Sequence, residues 1–170
     1  YVPQQFENPA NPMVHKHRTG LEIMEQVAGP IHGFCSGIGT GGTISGIGEV
    51  LKAQNPDIEI WAVEPEHAAI LAGGNIGTHL QMGIGDGLIP ENLNTEIYDD
   101  IYIVTDEEAI NTAKNLARME GIMCGISSGT NVAAALNHGK ILGLTTKTFL
   151  PNYGEFYEMR NAFLPPLREQ

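Results

Sequence analysis

The stretch Gly37-Ile38-Gly39-Thr40-Gly41-Gly42-Thr43 decides how this chain folds. Residues 31–36 before it are mostly apolar and predict a buried strand, and apolar residues recur behind it at helical spacing, which predicts a helix at about 43–53. A glycine-rich turn from strand to helix lets the backbone approach a ligand and directs N–H groups and the positive helix end toward one point. The stretch therefore predicts an anion-binding loop rather than a plain tight turn, and a phosphate is the expected anion.

The residues alone leave open which phosphate binds. Gly37-x-Gly39-x-x-Gly42 fits the dinucleotide fingerprint, and Glu64 ends the next predicted strand, where a ribose-binding acid would lie. An NAD-binding Rossmann domain is therefore one interpretation. A site for another phosphate-bearing cofactor is the alternative, because a single fingerprint of this kind is weak support.

Composition and charge limit the classes of partner. The 170 residues suffice for one domain with its own core. A formal net charge of −11 argues against nucleic acid and anionic membranes, and no apolar run approaches the ~20 residues of a membrane span. Cys35 and Cys124 lie in apolar, strand-like contexts and predict buried thiols in a reducing, cytoplasmic compartment. The histidines form no metal-binding motif, so no metal site is expected.

The remaining pattern predicts an α/β domain in which strands and helices alternate, which implies parallel pairing. Three prolines predict an irregular segment at 1–18, and Thr19 with Glu22 forms a capping-box pattern at the start of a helix. Thr105 with Glu108 repeats that pattern. The further predicted elements are helices at about 20–28, 106–120, 131–137 and 155–162, strands at 58–63, 102–104 and 146–150, and an irregular loop at 64–94.

Two further small-residue segments are candidates for the site. Gly83-Ile84-Gly85 lies in the long irregular loop, and it is predicted to line or close a site because loops of this length are usually functional. A flexible surface excursion is the alternative. Ser127 and Ser128 precede the last alanine-rich helix, where hydroxyl groups either cap the helix or bind a ligand.

Five separate stretches match one family in order. They are Gln-Gln-Phe-Glu-Asn-Pro-Ala-Asn-Pro at 4–12, Ser-Gly-Ile-Gly-Thr-Gly-Gly-Thr at 36–43, Val-Glu-Pro at 63–65, Gly-Ile-Gly-Asp-Gly-Leu-Ile-Pro at 83–90 and Gly-Ile-Ser-Ser-Gly at 125–129. The chain resembles the carboxy-terminal half of the cysteine synthase (O-acetylserine sulfhydrylase) family, among the pyridoxal-phosphate enzymes of the tryptophan-synthase-β fold type. The resemblance implies that family's larger domain, a three-layer α/β/α arrangement around a mostly parallel twisted sheet.

The resemblance also implies pyridoxal 5′-phosphate as the cofactor. Ser127 would hydrogen-bond the pyridine nitrogen, Gln5 would bind the substrate carboxylate, and Glu64 would lose its ribose role and be simply an acid at a strand end. The segment Gly83-Ile84-Gly85 would line the site. The residues that would hold the cofactor phosphate through backbone N–H groups and hydroxyls are Gly39, Thr40, Gly41, Gly42 and Thr43.

The implied reaction is a β-replacement that forms L-cysteine from O-acetylserine and sulfide. In the family, a lysine in the amino-terminal part anchors the cofactor and acts as the base, and no lysine here stands in such a context. We therefore expect residues 1–170 to form a single phosphate-binding domain of a two-domain enzyme, inactive alone, with the catalytic lysine upstream. At Asn152 and Phe156 the tail departs from the family's ending, which has a hydroxyl and a charge there.

The resemblance carries expectations about assembly and leaves alternatives open. It implies a homodimer, and it makes serine acetyltransferase a candidate partner, since that protein's carboxy-terminal peptide occupies the synthase site. The alternatives are a β-replacement similar to that of cystathionine β-synthase, an NAD-binding Rossmann domain, and an inactive partner-binding fragment.

Overall fold

A computed structural model, which describes residues 1–136, places three parallel strands at the centre of the fold. β1 is Gly33–Gly37, β2 is Glu59–Pro65 and β3 is Asp100–Val104, and they lie in the order β1-β2-β3. Both neighbouring pairs are parallel, which confirms the prediction. The carboxyl ends of all three strands therefore meet at one edge of the sheet.

Helices form much of the remaining described chain. His15–Thr19 and Leu116–Glu120 have π-helical hydrogen bonding, and Glu66–Ala68 is a short 3-10 turn. Within the described residues no helix or strand interrupts 69–99, so the long irregular loop predicted at 64–94 is present but begins later, because β2 continues to Pro65, and extends further. The α-helices are α1 Ala10–Val14, α2 Gly20–Gln26, α3 Gly42–Gln54, α4 Asp106–Asn115 and α5 Ile126–Leu136.

The sheet is covered by helices on both faces. Along β2, Ile60 and Ala62 contribute to one buried cluster, which includes Ile44 and Ile47 of α3. Val63 belongs to a second buried cluster, formed with residues of α4 and α5. Because successive side chains of a strand point to opposite faces, the two clusters lie on opposite sides of the sheet. The fold is the three-layer α/β/α arrangement that the resemblance implied.

The amino-terminal segment is helical, so the prediction of an irregular 1–18 is wrong from the start of α1 onward. Pro12 lies in the first turn of α1, where its missing N–H has no intrahelical partner to lose. Thr19 has helical backbone angles and forms no side-chain cap bond, so its predicted capping box is wrong too. This helical run packs along α3, and a Cβ atom at Gly20 would lie 3.0 Å from Cβ of Val50.

On the other face of the sheet, the start of α4 was predicted correctly and the start of α5 was not. The capping box of Thr105 and Glu108 is confirmed at the start of α4. α5 begins at Ile126 rather than at 131, so Ser127 and Ser128 lie inside its first turn instead of preceding it. Glycine and serine at these positions did not prevent the helix, because contacts with the sheet stabilise it.

Both cysteines are free thiols, and both are half-buried rather than fully buried as predicted. Cys35 lies in β1, but Cys124 lies between two helices in a segment without strand structure, so its predicted strand context is wrong. Burial raises the pKa of the Cys35 thiol to about 11, so this thiol is protonated at neutral pH.

Within residues 1–136, every helix is too short or too polar to cross a membrane. The strand predicted at 146–150, the helix predicted at 155–162 and the departures at Asn152 and Phe156 all lie outside the described residues.

Candidate functional site

The predicted anion-binding loop joins the carboxyl end of β1 to α3. Gly41 is the N-cap residue of α3 and has a φ of 76°, a left-handed conformation that favours glycine. The N-cap residue itself forms no side-chain cap bond, and the first turn of α3 contains no acidic residue. The first N–H groups of a helix have no intrahelical acceptors, so this end is directed toward an external anion.

Neighbouring groups lie so close to this loop that they exclude side chains from it. A Cβ atom at Gly39 would lie 2.9 Å from the carbonyl oxygen of Gly83, and one at Gly41 would lie 2.6 Å from Cβ of Leu93. A Cβ atom at Gly42 would overlap a neighbouring side-chain amide. The glycines therefore form a backbone cradle at the start of α3.

Thr40 and Thr43 add hydroxyl groups to this end of α3. The Thr40 hydroxyl accepts hydrogen bonds from Nδ2 of Asn11 at 2.9 Å and, at 3.4 Å, from the N–H of Gly42. The Thr43 hydroxyl lies 3.4 Å from Nε2 of His15, and burial lowers the pKa of this imidazole, which favours its neutral form. Both threonines are half-buried, so their hydroxyls are held in place beside the helix end.

Gln5 lies next to this loop. Its backbone carbonyl accepts hydrogen bonds from Nδ2 of Asn11 at 2.8 Å and from Nδ2 of Asn92 at 2.7 Å. Asn11 also reaches the hydroxyl of Thr40. The structure thus brings the predicted substrate-binding residue beside a predicted phosphate ligand.

The segment Gly83-Ile84-Gly85 packs against the glycine loop. Gly85 donates its N–H to the carbonyl oxygen of Ile38 at 2.8 Å, and both glycines of the segment have left-handed φ angles. Ile84 is buried, and a Cβ atom at Gly37 would lie 3.1 Å from its Cγ2. The segment is fastened to the loop, so it is not a free surface excursion.

Gln81 anchors the long loop beneath this segment. Its side chain is fully buried, and its Nε2 donates to the carbonyl oxygen of Val104 at 2.9 Å and to Oδ1 of Asp106 at 3.0 Å. Its Oε1 accepts a hydrogen bond from the hydroxyl of Thr130 at 2.8 Å. One side chain therefore ties the loop to β3, α4 and α5, and every polar atom of its amide group has a partner.

Glu64 anchors the opening of the same loop. Its two carboxylate oxygens accept hydrogen bonds from the N–H groups of Leu71 at 3.0 Å and Ala72 at 3.1 Å. Burial raises the pKa of this carboxyl, and the N–H donors oppose that rise in part. The prediction that Glu64 is simply an acid at a strand end is thus incomplete, because its carboxylate is an internal acceptor that folds the chain back on itself.

Ser127 lies in the first turn of α5, next to the end of β1. Its carbonyl oxygen accepts a hydrogen bond from Nδ2 of Asn131 at 2.9 Å, and Oδ1 of Asn131 accepts one from the N–H of Gly37 at 2.7 Å. This amide joins α5 to the first residue of the glycine loop. The Ser127 hydroxyl is half-buried and forms no hydrogen bond to any residue in 1–136, which leaves it available to a ligand.

Sequence reasoning misses four polar residues that organise the site. Each bridges elements that are distant in sequence, so no local spacing marks it. One local signal exists, a polar side chain on the otherwise apolar face of α3, where Ser45 stands between Ile44 and Ile47. Its hydroxyl donates to the carbonyl oxygen of Gly41 at 2.8 Å. The four residues are Ser45, Gln81, Asn92 and Asn131.

The donor set of this site suits a phosphate dianion. N–H groups at a helix start and nearby hydroxyls bind an anion without lysine or arginine. The two lysines that lie along α3 are paired elsewhere, Lys16 with Glu49 at 2.7 Å and Lys52 with Asp99 at 2.6 Å. The cradle of glycines admits the close backbone approach that a phosphate group needs, so the residues present fit the phosphate of a cofactor.

Known proteins have sequences similar to that of this chain. The pattern of a family described as pyridoxal-phosphate dependent enzymes matches residues 1–147. A cysteine synthase of Staphylococcus aureus is 50% identical over 160 residues, which cover 92% of this chain and 52% of that protein. This chain therefore spans about half the length of the curated relatives it matches.

Solved structures share its fold. A cysteine synthase from Entamoeba histolytica has a TM-score of 0.77 and 39% identity, with 82% of this chain and 43% of that chain covered. An O-acetylserine dependent cystathionine β-synthase from Helicobacter pylori has a TM-score of 0.74 and 39% identity, with 82% and 45% covered. Because the family pattern extends over most of its length, this chain belongs to the family of pyridoxal-phosphate dependent enzymes.

Proposed function

We propose that this chain is the cofactor-phosphate-binding domain of a pyridoxal-phosphate dependent cysteine synthase. Such an enzyme forms L-cysteine from O-acetylserine and sulfide by β-replacement. The observation that carries the proposal is the start of α3, which has a glycine N-cap and no acidic residue in its first turn, with the hydroxyls of Thr40 and Thr43 beside it. It occurs in a chain that is 50% identical to a cysteine synthase over 160 residues.

The glycine loop would hold the phosphate group of the cofactor. A dianion that leaves water needs several donors, and the N–H groups at a helix start are already oriented toward one point. No residue of the loop has to move to present them, because the loop is packed against Leu93 and Gly83. The proposed phosphate ligands are Gly39, Thr40, Gly41, Gly42 and Thr43.

Ser127 would bind the pyridine nitrogen of the cofactor, and Gln5 would bind the carboxylate of the amino-acid substrate. When bound, pyridoxal phosphate draws electrons from the α-carbon of the amino acid and so permits replacement of its β-substituent. A neutral Ser127 hydroxyl at the pyridine nitrogen would leave that nitrogen largely unprotonated, which suits elimination and replacement. The exposed side-chain amide of Gln5 would donate to the substrate carboxylate, and Gly83-Ile84-Gly85 would line the site and exclude water.

The working enzyme is proposed to be a cytoplasmic homodimer, in which another part of the polypeptide supplies the lysine that anchors the cofactor. Exposed apolar side chains after α4, those of Met119, Ile122 and Met123, support burial against a further surface. The 170-residue chain alone is expected to show no turnover of O-acetylserine. Serine acetyltransferase is the proposed protein partner, with its carboxy-terminal peptide competing with the amino-acid substrate.

A second candidate function is a β-replacement that forms cystathionine, because the Helicobacter pylori enzyme shares 39% identity with this chain. It would use the same cofactor site and differ in the nucleophile, so homocysteine in place of sulfide distinguishes the two. The NAD-binding interpretation loses its ribose acid, since both oxygens of Glu64 already accept hydrogen bonds from Leu71 and Ala72.

The test is a visible absorption spectrum of the longest natural form of this protein, recorded alone, with pyridoxal phosphate, and then with O-acetylserine. We expect a visible cofactor band that changes on addition of substrate, and cysteine formation once sulfide is present. Absence of the band in that full-length protein, together with binding of NAD, would contradict the proposal. The same titration of the 170-residue chain tests its expected inactivity.

A further inference from the structure

The backbone carbonyl of Gln5 is held by two side-chain amides that come from separate elements. Nδ2 of Asn11, in α1, donates to it at 2.8 Å, and Nδ2 of Asn92, in the long loop, donates at 2.7 Å. Both lone pairs of this carbonyl oxygen are therefore used. Such double acceptance fixes the main chain of Gln5 relative to two separate elements.

Asn92 is itself held rigidly. It is buried, its N–H donates to the carbonyl oxygen of Phe6 at 3.1 Å, and its own carbonyl oxygen accepts from the hydroxyl of Ser45 at 2.9 Å. The carbonyl oxygen of Gly41, the N-cap residue of α3, lies 2.8 Å from the same Ser45 hydroxyl, so the two carbonyls share its single proton. A continuous chain of hydrogen bonds therefore runs from the glycine loop through Asn92 to Gln5.

The turn that presents Gln5 has an unusual backbone conformation. Gln4 has a φ of 54°, and within residues 1–136 it is the single residue other than glycine with a positive φ. The turn is closed by hydrogen bonds from the N–H groups of Glu7 at 3.0 Å and Asn8 at 2.7 Å to the carbonyl oxygen of Gln4. Such a conformation persists only where the surroundings hold it, and the contacts of Asn11 and Asn92 with Gln5 do so here.

We propose that Asn92 is a positioning residue, which sets the Gln5 side chain at the distance from the phosphate loop that an amino-acid carboxylate requires. The inference rests on the proposed function, in which Gln5 binds that carboxylate. Asn92 touches neither cofactor nor substrate in this proposal. Its contribution passes through one hydrogen bond, from its Nδ2 to the carbonyl oxygen of Gln5.

The test is Asn92→Asp in the longest natural form of the protein, loaded with pyridoxal phosphate. Aspartate has the same shape and cannot donate, so the Gln5 carbonyl loses one bond and faces a carboxylate instead. We expect the KM for O-acetylserine to rise roughly tenfold or more, since an unmade buried hydrogen bond costs on the order of that factor. The kcat and the dissociation constant of pyridoxal phosphate should change much less.

The matched control is Asn94→Asp, two residues away. The Oδ1 of Asn94 accepts a hydrogen bond from the N–H of Glu96 at 3.0 Å, and aspartate preserves that acceptor. Its KM should stay near that of the unmodified protein. A second variant, Asn11→Asp, removes the other donor to Gln5 and should also raise the KM, but its carboxylate would lie beside the proposed phosphate ligand Thr40, so cofactor affinity should fall as well.

The outcomes separate this inference from the proposed function. An unmodified protein without a cofactor band refutes the proposed function itself. A normal band with an unchanged KM in Asn92→Asp overturns the positioning role. So does a loss of cofactor binding as large as the loss of substrate binding, because Asn92 would then be a general structural residue.

Discussion

The starts of α3 and α4 lie at the same edge of the sheet and are built in opposite ways. α4 follows β3, and its Thr105 hydroxyl accepts from the N–H of Glu108 at 3.2 Å while the Glu108 carboxylate accepts from the N–H of Thr105 at 2.9 Å. Its first turn also contains Asp106 and Glu107. α3 follows β1, begins at a glycine N-cap, and has no acidic residue in its first turn.

The difference shows which helix end is left for a ligand. α4 satisfies its first N–H groups with its own side chains and complements its dipole with its own acids. α3 has only the Thr40 hydroxyl, 3.4 Å from the N–H of Gly42, and no acidic residue, so its start is suited to an anion from outside. Two helices with the same position relative to a parallel sheet thus have different starts, because one sequence places Thr-Asp-Glu-Glu there and the other Gly-Gly-Thr.

The largest effect is expected from Gly41→Ala, which adds a Cβ atom to the N-cap residue of α3. The new Cβ would combine a left-handed backbone with a 2.6 Å approach to Leu93, so the free energy of unfolding should fall by about 2–5 kcal/mol. Cofactor binding should be lost as well. Urea unfolding and the visible band of the longest natural form measure the two effects.

The control for that variant is Gly73→Ala. Gly73 has a similar φ of 80°, and nothing lies within 4 Å of its added Cβ, so only the backbone cost of about 1–2 kcal/mol applies. Cofactor binding should remain. Equal losses in both variants would show that the packing against Leu93 contributes nothing.

The next largest effect is expected from Thr40→Val, which removes a hydroxyl at the open helix end and keeps the shape of the side chain. Hydrogen bonds to charged groups are stronger than neutral ones, so the dissociation constant of pyridoxal phosphate should rise roughly tenfold or more. An absorbance titration measures it. Thr112→Val removes a half-buried hydroxyl from α4 instead, and an equal rise there would argue against Thr40 as a phosphate ligand.

At the capped start of α4, Thr105→Ala should lower stability without weakening cofactor binding. Loss of the cap should lower the free energy of unfolding by about 1 kcal/mol, because the N–H of Glu108 loses its acceptor. The dissociation constant of pyridoxal phosphate should not change. Thr105→Ser retains the capping oxygen and serves as the control in thermal unfolding; a weakened cofactor affinity in Thr105→Ala would mean that the two helix ends are not independent.

The smallest effect concerns the opposite end of α3, where Lys52 pairs with Asp99. Burial alone would raise the pKa of Asp99, but the hydrogen bonds from Lys52 and from the N–H of Ile60 outweigh it and lower the pKa overall. A carboxyl whose pKa is lower in the folded than in the unfolded protein stabilises the fold at pH values above its unfolded-state pKa. This contribution is lost as the pH falls through the folded-state pKa.

Asp99→Asn should therefore reduce the acid-induced loss of stability. The difference should stay below about 1 kcal/mol, since the side chain is well exposed and the pair is screened by solvent. Melting temperatures recorded from neutral to acidic pH measure it. Identical slopes for the variant and the unmodified protein would show that this pair does not contribute to acid sensitivity.

Local patterns predicted a large part of the fold. The glycine loop between a strand and a helix, the parallel sheet and the capping box of Thr105 depend on residues close together in sequence, and all three are present. The helical start of the chain was not predicted, because its prolines indicate breaks in a helix. Proline is tolerated in the first turn of a helix, and Pro12 lies in the first turn of α1. The start of α5 was placed late for a related reason, since packing against the sheet outweighs the weak helix propensity of Ser127 and Gly129.

The sequence by itself determined the glycine-rich start of α3 and predicted an anion site there, because N-cap identity and glycine spacing are local properties of a helix end. Only the tertiary structure decided what surrounds that site. Gln5, Asn92 and Asn131 reach the loop from distant parts of the chain, and Glu64 turns inward to hold the long loop. A hydrogen bond between remote elements has no sequence period, so the folded backbone alone selects which polar side chains meet.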